Sequence, residues 1–154
     1  ELVSCAADSA APRAAESGIK IELQAPADVV GSFDAMRMQQ VLDNLISNAI
    51  KYSPGGGTVT LRVLRGKTAA ILEVQDEGIG MTAADQSEVF NRFFRSAAVK
   101  KAAIPGVGLG LGITRDIVEA HGGSITLTSQ PGQGTTVRVE LPLESCSVRA
   151  STAG

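Results

Sequence analysis

The sequence predicts a two-layer α/β sandwich, in which helices cover one face of a β-sheet. Three observations support this prediction: 154 residues suit one domain, strand patterns are interspersed with helix patterns, and two of the helices are amphipathic. A hydrophobic content of 44% is ample for a single core. Because the interspersed helices can cover only one face of the sheet, we expect two layers.

The first third of the chain is predicted to contain a helix, a strand and a second helix. Residues 1–17 are rich in Ala and Ser after an apolar start, as expected for the end of an incoming helix. Residues 19–23 alternate as a strand does, and Pro26 ends the pattern. Residues 36–52 form an amphipathic helix, which the Ser-Pro-Gly-Gly-Gly turn at 53–57 terminates.

The remainder predicts two hairpins separated by helices. Strands are expected at 58–64 and 68–75, joined by the turn 65–67, and again at 124–129 and 135–141 around a Gly-rich turn. Helices are expected at 83–94 and 109–121. Residues 96–105 have no usable period and predict a mobile loop, and 144–154 predict a frayed tail.

The helix at 36–52 presents an unusual polar stripe. At 100° per residue its members share one face: Arg37, Gln40, Asn44, Asn48 and Lys51. Asparagine is a poor helix former, because its side chain competes for backbone hydrogen bonds. An isolated polar stripe is more often a solvated face than a binding site, so its interpretation depends on the other motifs.

Three glycine clusters are candidate phosphate sites. Gly66-Lys67-Thr68 resembles the end of a P-loop, but Leu61 stands where that motif needs a glycine, so we interpret it as a hairpin turn. In 76–80, Asp76 follows a strand and can accept from an exocyclic amine, while Gly78 and Gly80 let the backbone approach a flat ligand. The cluster 106–112 enters a helix, whose N–H groups attract anions; a tight packing turn is the alternative.

Taken in order, these motifs resemble the catalytic and ATP-binding domain of bacterial sensor histidine kinases. The resemblance covers about residues 19–143 and rests on an asparagine box, two glycine boxes, the phenylalanine box 90–95, and the closing segments 117–123 and 132–136. It implies a Bergerat-type fold, with a mixed sheet covered on one face by helices. ATP would lie between these layers and a flexible lid at 96–105.

The resemblance also implies roles for individual residues. Asn48 would give its amide oxygen to Mg²⁺, Lys51 and Arg95 would face phosphates, and Arg95 would reach the γ-phosphate, with Arg92 as the alternative. Tyr52 would pack near the nucleotide, Asp76 would accept from the adenine amino group, and Thr135 would assist binding through its hydroxyl. Plain sheet packing is the alternative for Tyr52 and Thr135, since both residue types are ordinary near strands. The remaining implied ATP-binding residues are Asn44, Gly78, Gly80, Gly106, Gly108, Gly110 and Leu111.

Asn44 favours a kinase over a hydrolase. Related ATPases place a glutamate one turn before the metal-binding asparagine, and an amide cannot activate water as a base. The chain's only histidine, His121, matches a structural His-Gly-Gly at a helix end, so the phosphoacceptor is expected on another domain. Residues 1–18 would be the end of a helix from that dimerisation domain, 19–143 the ATP-binding domain, and 144–154 a disordered tail.

Composition sets the expected surroundings. A net charge of −2 provides no basic surface for nucleic acid, and no apolar run is long enough to span a bilayer. Only Cys5 and Cys146 could form a disulfide, so we expect incidental thiols in the cytoplasm, with membrane anchoring of the parent protein left open. The expected partners are the missing dimerisation and phosphotransfer domain and a response regulator, and the fragment is expected to be monomeric.

Two alternatives come from other functional classes. The first is a serine kinase of the anti-sigma-factor type, against which the regular Gly-Leu-Gly-Leu-Gly and the His-Gly-Gly segment argue. The second is an ATP-sensing interaction module without catalysis. Intact Asn48, Asp76 and Arg95 argue against that loss of activity.

Overall fold

The computed structural model describes residues 1–25, 29, 31, 33–91, 94–95 and 110–143. The helices are α1 (Leu2–Glu16), α2 (Ala35–Lys51), α3 (Ala83–Glu88) and α4 (Gly110–Ala120). The strands are β1 (Ile19–Gln24), β2 (Gly57–Arg65), β3 (Ala69–Gln75), β4 (Ser124–Gln130) and β5 (Gly134–Pro142). No helix among these residues is long and apolar enough to cross a bilayer.

The strands form one mixed sheet in the order β1-β2-β3-β5-β4. Strand β1 pairs with β2 in parallel, and every other pair is antiparallel. In the registers, Leu61 lies opposite Val74, which in turn lies opposite Val137. Because side chains alternate along a strand, these apolar residues share one face of the sheet.

Helices α1, α2 and α4 pack on that apolar face, and the hydrophobic core lies between the two layers. The opposite face carries polar and charged side chains, including a cross-strand ion pair of 3.5 Å between Arg138 and Glu73. The predicted mixed sheet with helices on one face is confirmed. Helix α1 buries its alanine face, including Ala6 and Ala14, in the same core.

Helix α2 is fixed at both ends. The Asp34 carboxylate caps its first turn by accepting from the Arg37 N–H at 3.1 Å. At the other end, the buried Ser53 hydroxyl donates to the Ala49 carbonyl at 2.7 Å. The apolar arc of the predicted helix is buried, with Leu45 and Ile46 at 2% and 1% exposure, and this orients the polar stripe away from the core.

Helix α4 ends in a Schellman motif, with Gly122 in a left-handed conformation at φ 76°. The Gly123 N–H donates to the Val118 carbonyl at 3.0 Å. His121 Nε2 accepts from the Asp34 N–H at 3.3 Å, so Nδ1 carries the proton and donates to the Ile117 carbonyl at 2.9 Å. The histidine thus ties the end of α4 to the start of α2, in agreement with its expected structural role.

The helix predicted at 83–94 was too long, because α3 ends at Glu88. Thr82 caps it by accepting from the Asp85 N–H at 3.2 Å, but none of its residues is buried, so packing does not extend it. Beyond α3, the Asn91 N–H donates to the Glu88 carbonyl at 2.9 Å, and Val89 and Phe94 lie at a cavity. The predicted lid at 96–105 and the tail at 144–154 lie outside the described residues.

Candidate functional site

A cavity of about 210 Å³ lies between α2, the first turn of α4 and the ends of β3, β4 and β5. Its strand wall, as we call it, consists of Asp76, Gly80 and Thr135. Its helix wall consists of Asn44, Asn48 and Lys51 of α2, which belong to the predicted polar stripe. The lining also includes Ser47, Tyr52, Arg95 and Gly110, and these apolar residues: Leu45, Ala49, Val74, Ile79, Met81, Val89, Phe94, Leu111, Leu127 and Val137.

Asp76 is the buried carboxylate of the strand wall, with 8% of its surface exposed. Its Oδ1 accepts from the Gly78 N–H at 2.9 Å and from the Thr135 N–H at 3.1 Å. Burial raises the pKa of Asp76 to about 6, although these two hydrogen bonds oppose the rise. Among the described residues, Oδ2 has no hydrogen-bond partner, so it can receive a donor from a ligand in the cavity.

The glycines around Asp76 serve close backbone packing. A Cβ on Gly78 would lie 2.0 Å from the Tyr52 carbonyl oxygen, and one on Gly80 would lie 1.9 Å from that of Gln130. A Cβ on Gly134 would lie 2.1 Å from the Asp76 carbonyl oxygen. These contacts leave no room for a side chain, so the glycines let the loop after β3 lie against α2 and the terminal hairpin.

A hydrogen-bond network behind the strand wall was not anticipated from the sequence. Ser129 Oγ lies 2.8 Å from Thr135 Oγ1 and accepts from the Met81 N–H at 2.9 Å. Gln86 Nε2 donates to the carbonyls of Met81 and Ser129 at 3.2 and 2.9 Å. Glutamine and serine are common surface residues, so no sequence signal distinguished these two from their neighbours.

The helix wall is held by α4. Asn44 Nδ2 donates to Thr114 Oγ1 at 3.4 Å, and the buried Thr114 hydroxyl donates to the Gly110 carbonyl at 2.8 Å. Asn48 lies directly beside this turn, because a Cβ on Gly110 would be 3.5 Å from Asn48 Nδ2. A glycine at 110 therefore keeps space open in front of the second asparagine.

Basic side chains lie at the same cavity. Lys51 Nζ lies 6.0 Å from the centroid of the Tyr52 ring, and Arg95 joins both residues in the cavity lining. Burial raises the pKa of the Tyr52 hydroxyl, and the positive charge of Arg95 opposes part of this rise. The cavity thus combines one carboxylate, two amides and two cations with apolar walls.

The structure brings most of the predicted site residues together. The cavity is lined by Asn44, Asn48, Lys51, Tyr52, Asp76, Gly80, Arg95, Gly110, Leu111 and Thr135. Gly78 is not in the lining, and it contributes to the site by donating its N–H to Asp76 Oδ1. Gly106, Gly108 and Arg92 lie outside the described residues. Apart from Leu111, the apolar lining was missed, because an apolar residue that lines a pocket has the same sequence pattern as one that packs in the core.

The donor set fits an adenine nucleotide with a divalent cation. An apolar cavity with a buried acceptor suits a flat base that carries an amino group, and amides with cations suit phosphates. Within the described ranges, no cluster of three or more His, Cys, Asp or Glu residues could hold a metal by itself. A metal here would therefore depend on phosphate and water oxygens, with an asparagine as the protein ligand.

Comparison with known proteins identifies the family. Residues 33–145 match the model of the histidine kinase-, DNA gyrase B- and HSP90-like ATPases. The sensor histidine kinase WalK of Bacillus subtilis is 44% identical over 117 residues, which are 75% of this chain and 19% of WalK. The chain thus spans less than a fifth of this curated relative.

Solved structures agree with this match. The mycobacterial sensor histidine kinase MprB superimposes with a TM-score of 0.76 at 31% identity, covering 92% of this chain and 91% of that one. Full-length ShkA in complex with AMPPNP gives a TM-score of 0.78 at 28% identity, covering 92% of this chain and 29% of ShkA. The chain therefore belongs to the histidine kinase-, DNA gyrase B- and HSP90-like ATPase family, as an ATP-binding domain of the sensor histidine kinase type.

Proposed function

We propose that this domain transfers the γ-phosphate of ATP to a histidine on a separate dimerisation domain, from which a response regulator receives it. The observation that carries the proposal is the cavity in which the buried Asp76 faces the amides of α2 and Arg95. Relatives named as sensor histidine kinases and the AMPPNP complex of ShkA support it. We place the domain in the cytoplasm, and we expect the isolated chain to be monomeric.

In this proposal, the strand wall selects the base. Asp76 Oδ2 would accept from the adenine amino group, while Oδ1 stays occupied by the two backbone donors. Ile79, Met81 and Leu127 would provide the apolar surface against the ring. A base that presents an acceptor at this position would leave Asp76 Oδ2 without a donor, which disfavours the binding of that base.

The helix wall and Arg95 would bind the phosphates. Bound ATP supplies the phosphoryl group for transfer, and Asn48 would provide an amide oxygen to the accompanying Mg²⁺. Lys51 would compensate phosphate charge. Arg95 would lie at the γ-phosphate, where a guanidinium stabilises the charge that is redistributed during transfer.

The cavity should bind ATP without rapid hydrolysis. Asn44 occupies the position from which a carboxylate could activate water, and its amide nitrogen is bound to Thr114. We expect the isolated chain to hydrolyse ATP far more slowly than about one turnover per second, an ordinary enzyme rate. Release of phosphate from labelled ATP measures this, and hydrolysis near that rate would contradict the assignment of Asn44.

Transfer is tested by adding labelled ATP and Mg²⁺ to this chain together with the helical dimerisation domain of its parent protein. A phosphate that is lost in acid and kept in base identifies phosphohistidine. An acid-stable phosphate would favour the serine kinase, and nucleotide binding without any transfer would favour the sensing module. Replacing the acceptor histidine of the helical domain with alanine is the matched control, because it removes the nucleophile alone.

A further inference from the structure

We propose that Thr114 is a positioning residue, whose buried hydroxyl determines which end of the Asn44 amide faces the cavity. Thr114 lies on α4, is 0% exposed and does not line the cavity. The inference rests on the proposed function, because the ligand concerned is Mg²⁺·ATP. It adds a residue that acts on the ligand only through another side chain.

The hydrogen-bond geometry assigns the direction of the contact. A threonine hydroxyl has one proton, and Thr114 uses it in the 2.8 Å bond to the Gly110 carbonyl. Thr114 Oγ1 can therefore only accept from Asn44, which requires the amide nitrogen at this 3.4 Å contact. The opposite amide orientation would place Asn44 Oδ1 against Oγ1 with no proton between the two oxygens.

The consequence concerns the other end of the amide. With Nδ2 directed at α4, Asn44 Oδ1 lies on the side away from Thr114, where Asn44 lines the cavity. A carbonyl oxygen suits Mg²⁺ or the water bound to it, whereas an NH₂ group would instead donate to phosphate oxygens. Asn48 lies one turn further along α2, so the two asparagines are neighbours on one face.

Thr114→Val tests this assignment, because valine keeps the branched shape and removes only the hydroxyl. The amide of Asn44 then loses its fixed orientation, and Mg²⁺·ATP should bind roughly threefold to tenfold more weakly, as expected for one hydrogen bond. Adenosine, which lacks phosphates, should bind as it does to the parent chain. The unfolding temperature should also fall, because the hydrogen bonds of the buried hydroxyl with Asn44 and the Gly110 carbonyl are lost, so adenosine binding is the control for an intact site.

Thr114→Ser is the matched control, because it keeps the hydroxyl and removes a buried methyl group. It should retain the affinity for Mg²⁺·ATP while its unfolding temperature falls. The two variants therefore differ in their affinity for Mg²⁺·ATP, which should fall with valine and be retained with serine. A residue that only filled space would instead lose more with serine than with valine in both calorimetry and thermal unfolding.

A double-mutant cycle shows whether Thr114 acts through Asn44. In an Asn44→Ala background, Thr114→Val should have no further effect on Mg²⁺·ATP affinity. An unchanged affinity of the single Thr114→Val variant, an equal loss of adenosine binding, or a full further loss in the Asn44→Ala background would each overturn the inference. If the parent chain did not bind Mg²⁺·ATP, that result would contradict the proposed function itself, and this inference would be contradicted with it.

Discussion

The two walls of the cavity are held in different ways. In the strand wall, backbone N–H groups of Gly78 and Thr135 hold the Asp76 carboxylate, and tight glycine contacts hold that backbone. In the helix wall, Asn44 and Lys51 extend from α2, and their orientation depends on side chains such as Thr114 and Tyr52. The strand wall is thus held by backbone hydrogen bonds and close backbone packing, whereas the helix wall is held by side-chain contacts.

This difference predicts that the two walls recognise different parts of the ligand. A rigid, buried carboxylate suits recognition of a base that has the same shape before and after the reaction. Side chains with rotatable bonds suit phosphates, whose charge and position change during transfer. Substitutions in the strand wall should therefore affect all adenine ligands, whereas substitutions near the helix wall should affect phosphate-dependent steps.

The largest expected effect is on transfer by Arg95→Ala. The interaction of the Arg95 guanidinium with the γ-phosphate strengthens only as charge is redistributed during transfer. Phosphorylation of the helical domain should therefore fall roughly a hundredfold to a thousandfold. ADP affinity should change little, because ADP lacks the γ-phosphate. The exposed Arg65, at the end of β2, provides the matched control as Arg65→Ala. Equal loss of ADP and ATP binding would instead assign Arg95 to folding and make Arg92 the better candidate.

Asp76→Ala should weaken every adenine ligand. Loss of a hydrogen bond to a charged group costs roughly 1.5–3 kcal/mol, which corresponds to about tenfold to a hundredfold weaker binding. Calorimetry with ATP, ADP and adenosine measures whether the loss is uniform, as the strand wall requires. Asp43→Ala removes an exposed carboxylate on the same domain and should leave all three affinities unchanged. Parent-like affinity of Asp76→Ala would refute the adenine assignment.

Asp76→Asn should stabilise the ligand-free domain. Burial raises the pKa of Asp76 to about 6 from its ordinary value of 3.8, so the folded state binds this proton more tightly than the unfolded state. Stability therefore falls as pH rises from about 4 to about 6, by up to roughly 3 kcal/mol. Asparagine keeps the Oδ1 acceptor without the buried charge, so we expect a gain of about 1–3 kcal/mol at pH 7.5.

Denaturant unfolding of the parent and Asp76→Asn at pH 7.5 and pH 4 measures this gain. It should be smaller at pH 4, where the parent carboxyl is already neutral in the fold. A gain of equal size at both pH values would show that burial of charge is not its cause. Alternatively, a destabilised variant would show that the amide nitrogen finds no acceptor beside the strand wall.

The smallest expected effect is the pH dependence of adenosine binding. The ionised carboxylate accepts from the amino group, so affinity should be constant above pH 7 and fall below about pH 6, the pKa of Asp76. At pH 5 the loss should be about tenfold relative to pH 7.5. Adenosine is the suitable probe because it has no phosphate to titrate. Asp76→Asn should remove this dependence, and a dependence that persists would point to another group.

The regular elements were largely predictable because their patterns are local. The polar stripe and buried arc of α2 follow from a period of 3.6 residues, and both hairpins follow from their turn residues. The helix at 83–94 was wrong in length because its end depends on where Val89 and Phe94 pack, and these contacts are not local. The order of the strands was not predicted, since the pattern of a strand does not identify its neighbours in the sheet.

The site was predictable in its chemistry and less so in its geometry. Asp76 was expected to face a ligand, but its raised pKa and its two backbone donors depend on residues up to 59 positions away. Gly78 and Gly80 were expected to let the backbone approach a ligand. In the structure, the lack of a side chain at these positions makes room for the carbonyls of Tyr52 and Gln130. This packing role could not be predicted from the sequence, because the two carbonyls belong to segments that are distant along the chain.

By itself, the sequence determined the residue types of the cavity and their spacing along the chain, because helix period and turn chemistry act within a few residues. It also determined that no carboxylate precedes Asn48 by one turn, since Asn44 is there. Tertiary structure alone decided that Thr114 faces Asn44, that Ser129 contacts Thr135, and that Asp76 is desolvated. Hydrogen bonds and burial of this kind arise only when folding brings distant segments together and excludes water from between them.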